Sequence, residues 1–306
     1  MASNHQVYTS TAELARLRHD ATGFSFLPQQ PLHSLLSGRK RSRLRGRGLD
    51  FEELRNYRPG DDIRSMDWRV TNRTGKPHVR VYTEERDRPV ILLVDQRLSM
   101  FFGSQKKMKS VMAAELAALS GWRVLSQNDR VGAVLFNDEQ LIQVKPSRSE
   151  RSLMSILAQL STMNQSLRVD QAVQPNPGQL ATALDLVERM AGHDYLITII
   201  SDFEGWNPMA LASVKRLAQH NDLIACLVFD PLEQDISQAS NLVVSDGHYQ
   251  LQLDPHKAEL GERFEASFHH GINELQQDLR KHGMPVLPIN TVEPVFEQLR
   301  QQLGRH

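Results

Sequence analysis

Apolar and polar positions divide this 306-residue chain into two regimes. From Val90 onward, short apolar runs alternate with stretches whose apolar residues recur at helical spacing. VILLVD, DRVGAVLF, DYLITIISD and NDLIACLVFD are too continuous for half-exposed strands and read as strands covered on both faces. SQKKMKSVMAAELAALSGWRVL, SERSLMSILAQL, PGQLATALDLVERMAG and NPMALASVKRLAQ carry the three-to-four-residue periodicity of amphipathic helices. An LIQV segment follows the second strand, and NLVVSDGHYQLQL predicts a strand pair around an Asp246-Gly247 turn. A long helix is expected from about His256 to His282, then an MPVLPI strand and a closing helix capped by Thr291. Such alternation predicts an α/β fold: a doubly wound, mainly parallel, Rossmann-like sheet.

Before Val90 the pattern is different. Residues 1–38 predict an N-terminal appendage and linker, with one short helix after Thr11 that ends near Thr22-Gly23. Residues 39–89 begin with a basic run, six of the nine residues Arg39–Arg47 being Lys or Arg. They continue through turn signals (Pro59-Gly60, Thr74-Gly75) to an alternating HVRVYTE strand. Residues 90–306 then form the body, and the fold is an α/β sheet with a basic N-terminal extension.

Charge sharpens this division. The whole chain is neutral, with 36 basic and 36 acidic residues, but Met1–Pro89 holds 17 of the basic and 11 of the acidic ones. A neutral total advertises neither nucleic acid nor a membrane surface. One cysteine, Cys226, excludes an internal disulfide, and its place in LIACLVF reads as a buried inert thiol. No apolar window is long enough to span a bilayer, and the first residues lack the order of a signal peptide, so a cytoplasmic protein is expected.

Motifs for common enzyme chemistries are missing. There is no G-x-x-x-x-G-K-[ST] loop, no G-x-G-x-x-G after a strand, no H-E-x-x-H and no G-x-S-x-G. SQKKMKS after the first body strand has lysines without the glycine spacing of a phosphate loop. The expectation is a non-enzyme without a cofactor.

What remains is chemistry at strand ends. Asp95 closes VILLVD and Asp202 closes DYLITIISD, and carboxyl ends of parallel strands are where α/β sheets place their sites. Asp202 either caps the following helix or joins Asp95 in a shared site; for the pair the shared site is favoured. Two alternate positions after Asp95 are Arg97 and Ser99. Two facing carboxylates need compensating positive charge, and Arg97 offers a fixed cation with a planar fork. The favoured reading is therefore a built-in cation; the other is an Arg97 turned to solvent, with Asp95, Ser99 and Asp202 holding Mg²⁺. Phe102 and Trp206, beside these loops, are candidate apolar anchors for a partner, the alternative being that the phenylalanines pack under the next helix.

Val90–Asp95, Ser99-Met100, DRVGAVLF and YLITIISDFEG resemble a von Willebrand factor type A domain. The stretch Arg45–Asp87 is similar to the signature of the domain-of-unknown-function family numbered 58. It matches that signature at Arg55, Tyr57, Pro59, Gly60, Asp61, Arg64, Asp67 and Trp68. The resemblance implies a type A-like sheet that binds partner proteins, often through a metal-ion-dependent adhesion site. It also implies a bacterial setting and partnership with MoxR-type AAA+ ATPases in adaptor or chaperone-like work. Carried over, Asp95, Ser99 and Asp202 match ligand positions; Arg97 replaces a serine, and Gly178 stands where a threonine belongs, with Thr182 one turn on. The adhesion site is thus degenerate. Within the signature, Pro59-Gly60 reads as a turn capped by Asp, Arg64 as the partner of an acid, and Trp68 as packing over the sheet. The alternative function is a nucleic-acid-binding accessory using Arg39–Arg47, weakened by the lack of aromatics there and by Glu52-Glu53 close behind.

Overall fold

Every residue of Val90–Asp95 is buried, as a strand sandwiched between two helix layers requires. In the computed structural model, residues 7–21, 49–58, 61–84, 88–168, 174–234, 242–245, 250–253 and 272–303 are described. They fall into two compact units, residues 38–87 and the remainder. The basic run Arg39–Arg47, Pro59, Gly60 and the Asp246-Gly247 turn lie outside the described residues.

Helix α1 (Thr11–Arg16) belongs to the larger unit and opens with a capping box, Ser10 and Glu13 bonding each other's backbone amides. The smaller unit is an antiparallel pair, β1 (Leu49–Asn56) and β2 (His78–Glu84), joined through α2 (Trp68–Thr74). β1 was hidden in the sequence because LDFEELRN lacks clean alternation; pairing to β2 supplies its order.

The rest of the larger unit runs β3 (Val90–Asp95), α3 (Lys109–Ser126), β4 (Val131–Phe136), β5 (Leu141–Ser147), α4 (Glu150–Ser166) and α5 (Gln179–Met190). It continues β6 (Leu196–Ser201), α6 (Pro208–Ala218), β7 (Asp222–Phe229) and the single turn α7 (Pro231–Gln234). A pair, β8 (Leu242–Ser245) and β9 (Gln250–Leu253), precedes helix α8 (272–281), β10 (Val286–Asn290) and α9 (Val295–Leu303).

The main sheet has the order β10-β7-β6-β3-β4-β5, parallel except that β5 runs antiparallel to β4. Alternate residues of β3 feed two cores. Val90, Leu92 and Val94 pack with α1, α3, α4 and α9; Ile91 and Leu93 pack with α5, α6 and α8. Both edge strands carry a proline, Pro146 in β5 and Pro288 in β10.

Two expectations fail here. Residues 7–21 are not an appendage: Leu14 is fully buried in the first core, and Trp122 Nε1 donates to its carbonyl at 3.2 Å. The Thr9 amide donates to buried Asn164 Oδ1 at 2.8 Å, and Asn164 Nδ2 donates on to Gln96 Oε1 at 3.1 Å. Nor does Thr291 cap the last helix, which begins at Val295; its hydroxyl donates instead to Asp230 at 2.5 Å. Helix α3 also starts later than the pattern suggests, because the chain first folds back so that the Lys109 amide reaches the Phe102 carbonyl. That turn brings Gly103 so close to Lys107 O that a Cβ would stand 2.1 Å away.

Candidate functional site

Three loops at the carboxyl ends of β3, β6 and β7 build one buried charge network. Asp95, the last residue of β3, is 0% exposed and Arg97 only 2%. The guanidinium clasps the carboxylate with Nε at 3.0 and 3.1 Å from the two oxygens and Nη2 at 2.7 Å from Oδ2. The Arg97 amide adds a third donor to Oδ1 at 3.0 Å, and Ser201 Oγ donates to Oδ2 at 2.6 Å. The guanidinium also faces the Phe136 ring, 5.5 Å from its centroid.

Arg97 reaches the second carboxylate as well, Nη2 lying 3.5 Å from Asp202 Oδ1. Asp202 does not cap the next helix; Asn207 does, accepting from the Met209 and Ala210 amides. Instead, Asp202 Oδ1 accepts the Glu204 amide at 3.0 Å and Oδ2 lies 3.1 Å from Lys109 Nζ. Lys109 in turn bonds Glu233 Oε1 at 2.6 Å. The chain therefore brings together Asp95, Arg97 and Asp202 as anticipated, and adds Lys109, Glu233 and Ser201.

Burial pushes the Asp95 carboxyl above the ordinary carboxylate range, against the pull of Arg97. Asp202 is buried too, yet Lys109 and Arg97 together hold it below that range. Burial disfavours the charged forms of Arg97 and Lys109, but the carboxylates around them raise both. Glu204, at the rim, is raised by desolvation and by the neighbouring Asp202 charge.

Lys109 was missed in the sequence although a signal was there. It occupies the first helical position of α3, behind Met108 as N-cap, where a cation opposes the helix dipole. A lysine at that position calls for a nearby anion. Glu233 is harder to read: it belongs to a local turn in which its Oε2 accepts the Asp230 amide. Asp230, fully buried, accepts from Ser104, Thr291 and the Leu232 amide, tying the loop after β3 to the loop after β7.

The other expected residues divide. Ser99 Oγ is buried without a hydrogen-bond partner among the described residues. Gly178 sits at the N-cap of α5 and offers no side chain; Thr182 Oγ1 donates back to its carbonyl at 3.2 Å. Loop contact is made instead by Asp138, which accepts the Leu98 and Asn176 amides at 2.7 and 2.8 Å. Phe101 stacks on Tyr8, whereas Phe102 is 36% exposed at the rim, with Lys109 Nζ 6.0 Å from its ring centroid. Trp206 is half-buried and packs edge-on against Phe203; two residues beyond its neighbour Asn207, Met209 is 68% exposed. Among the described residues, no three His, Cys, Asp or Glu side chains converge as a metal set.

The signature residues form a network of their own in the smaller unit. Asp61 accepts from the two terminal Arg55 nitrogens, Nη1 and Nη2, at 2.8 Å each and from the Arg58 amide at 2.8 Å, so Arg55 has the part expected of Arg64, which is exposed. The Tyr57 amide bonds Pro77 O, and Asp67 caps α2 through the Arg69 and Val70 amides. Trp68, expected to pack over the sheet, is instead 59% exposed: as the first residue of α2 it projects from the helix start.

Residues 53–271 match the family described as Protein of unknown function DUF58. Uncharacterized proteins of Mycobacterium tuberculosis and Mycobacterium bovis are each 28% identical to the chain over 270 residues, covering 86% of it and 81% of their own length. The crystal structure of the conserved hypothetical protein BatB from Bacteroides thetaiotaomicron superposes with a TM-score of 0.44 at 15% identity, over 70% of this chain and 96% of that one.

Proposed function

The chain belongs to the DUF58 family, and from that membership and the geometry of its strand ends we propose a non-enzymatic, type A-like interaction protein. Its partner is a MoxR-type AAA+ ATPase, with which it works in the cytoplasm as an adaptor or chaperone-like component. The partner class is what the signature resemblance at Arg55–Trp68 implies.

One observation carries the non-enzymatic reading. Asp95 and Asp202, the two carboxylates at the sheet's ligand-binding edge, are both held in ion pairs by the chain's own Arg97 and Lys109. Carboxylates so engaged are poorly placed to move a substrate proton, which requires a free group within hydrogen-bond reach of the reacting atom. Around them the rim exposes Phe102 and Met209, apolar side chains of the kind that anchor protein partners. Among the described residues no helix is long and apolar enough to cross a membrane.

The test is affinity capture of the tagged full chain from its own host, with and without ATP, followed by identification of what co-purifies. An AAA+ ATPase is expected, and Phe102→Ala with Met209→Ala should reduce its recovery. Capture that yields no AAA+ ATPase under either condition, or turnover of a substrate that Asp95→Ala abolishes, would overturn the proposal.

A further inference from the structure

A type A-like adhesion loop raises the question of a divalent ion, and the residues present do not fit one. Such an ion takes hard oxygen ligands at roughly 2.0–2.6 Å, depending on its size. Here every oxygen of the two carboxylates is already engaged. Asp95 Oδ1 accepts the Arg97 amide and Nε, and Oδ2 accepts Ser201 Oγ and Arg97 Nη2. Asp202 Oδ1 accepts the Glu204 amide and faces Arg97 Nη2, while Oδ2 accepts Lys109 Nζ. Both cations are nearly sealed from solvent, their side chains 2% and 4% exposed. An entering ion would have to displace one or both against their repulsion. Ser99 Oγ, the remaining side chain at a ligand position of this loop, has no partner among the described residues, and the threonine position is Gly178.

We infer that Arg97 and Lys109 together replace a divalent ion, making this strand-end site a metal-independent clasp that is closed to a partner's carboxylate. A metal with an unfilled coordination position can accept an oxygen from outside. A guanidinium and an ammonium paired to the chain's own carboxylates and nearly sealed from solvent present no such opening. The clasp ties the ends of β3 and β6 to the first turn of α3 and to α7, and docking on this face falls to the exposed rim, Phe102 and Met209. Only this last step rests on the proposed interaction function.

The experiment uses the purified full chain, with Mn²⁺ as the probe, followed by its electron paramagnetic resonance and by thermal melts with and without Mg²⁺ or Mn²⁺. Wild type should leave the free Mn²⁺ signal and the melting midpoint unchanged. Arg97→Ser should melt lower and recover part of the loss in millimolar Mn²⁺, because a ligand stabilises the state that binds it. Saturable Mn²⁺ binding by wild type with a raised midpoint would overturn the inference, and this arm needs no variant to fold. So would an Arg97→Ser midpoint equal to wild type without metal. None of these measurements needs a partner, so their failure leaves the ATPase partnership standing. Nucleotide-free partner capture that EDTA abolishes would refute the metal independence while supporting the partnership.

Discussion

Lys109 Nζ lies 3.1 Å from Asp202 Oδ2, although 93 positions separate the two residues in the chain. The ammonium is buried at the start of α3, against the helix dipole, and is held there by Asp202 and Glu233. Lys109→Met should leave Glu233 without its cation and Asp202 with Arg97 alone at 3.5 Å, and cost about 3–5 kcal/mol, the usual penalty for breaking a buried pair. Adding Asp202→Asn should restore part of the loss. Denaturant unfolding of the two single variants and the double variant gives the coupling, and strictly additive losses would show that the pair is not one unit.

The N-terminal stretch should be indispensable rather than removable. Leu14 fills the first core, and the Thr9 amide satisfies Asn164, which in turn holds Gln96 beside the Asp95–Arg97 loop. Leu14→Ala should cost about 2–5 kcal/mol in urea unfolding. Deleting residues 1–21 should cost more and should lower native near-ultraviolet ellipticity, since Trp122 loses its partner. An unchanged unfolding curve for the deletion would restore the appendage reading.

Gly205 is tightly specified. Its φ is +75°, and a Cβ there would stand 2.3 Å from Pro177 O, so the loop after β6 lies directly against the loop before α5. Gly205→Ala should therefore destabilise by about 1–3 kcal/mol from backbone strain, before the clash is added. A thermal melt indistinguishable from wild type would contradict that contact.

Phe102 and Trp206 should behave differently although both flank the clasp. Phe102→Ala removes an exposed ring and should change stability by less than about 0.5 kcal/mol. Trp206→Ala breaks the edge-on contact with Phe203 and should cost about 1–3 kcal/mol. Unfolding free energies of the two variants separate a surface anchor from a packing residue; equal losses would deny the distinction.

Cys226 gives a pH signature. Burial pushes its thiol from 9.0 up to about 12. Between those values the folded chain keeps a proton that the unfolded chain has released, so the thiol's contribution to stability falls as pH rises through this window. Cys226→Ala lacks that slope. Its deficit in unfolding free energy relative to wild type should narrow above pH 9.0, and a constant deficit from pH 7 to 10 would contradict the burial.

The strands and helices of the body were legible because their periodicities are strong: VILLVD and LITIIS are buried at every position. The Asp95–Arg97–Asp202 cluster was legible because strand ends of a parallel sheet point to a common edge. What escaped were contacts made across long separations by residues whose local context is ordinary. Lys109 reads as one lysine among several, and Glu233 as part of a turn. The packing of residues 7–21 depends on Asn164 and Trp122, far along the chain. Trp68 was misread for the opposite reason: a tryptophan suggests burial, and this one starts a short helix with its side chain outside.

The prolines at positions 146 and 288 limit how this protein can meet other chains. Each lies on an outermost strand of the six-stranded sheet, where unpaired amides would otherwise invite a further strand to zip on. Pro288 removes one such donor, and its carbonyl is already taken by the Gln302 side chain at 2.7 Å. Pro146 falls where the β4–β5 pairing shifts register, next to Gly132, so the opposite rim is kinked as well. Both ends of the sheet are thus blunted against extension by a foreign strand, which guards against edge-to-edge polymerisation and leaves recognition to side chains.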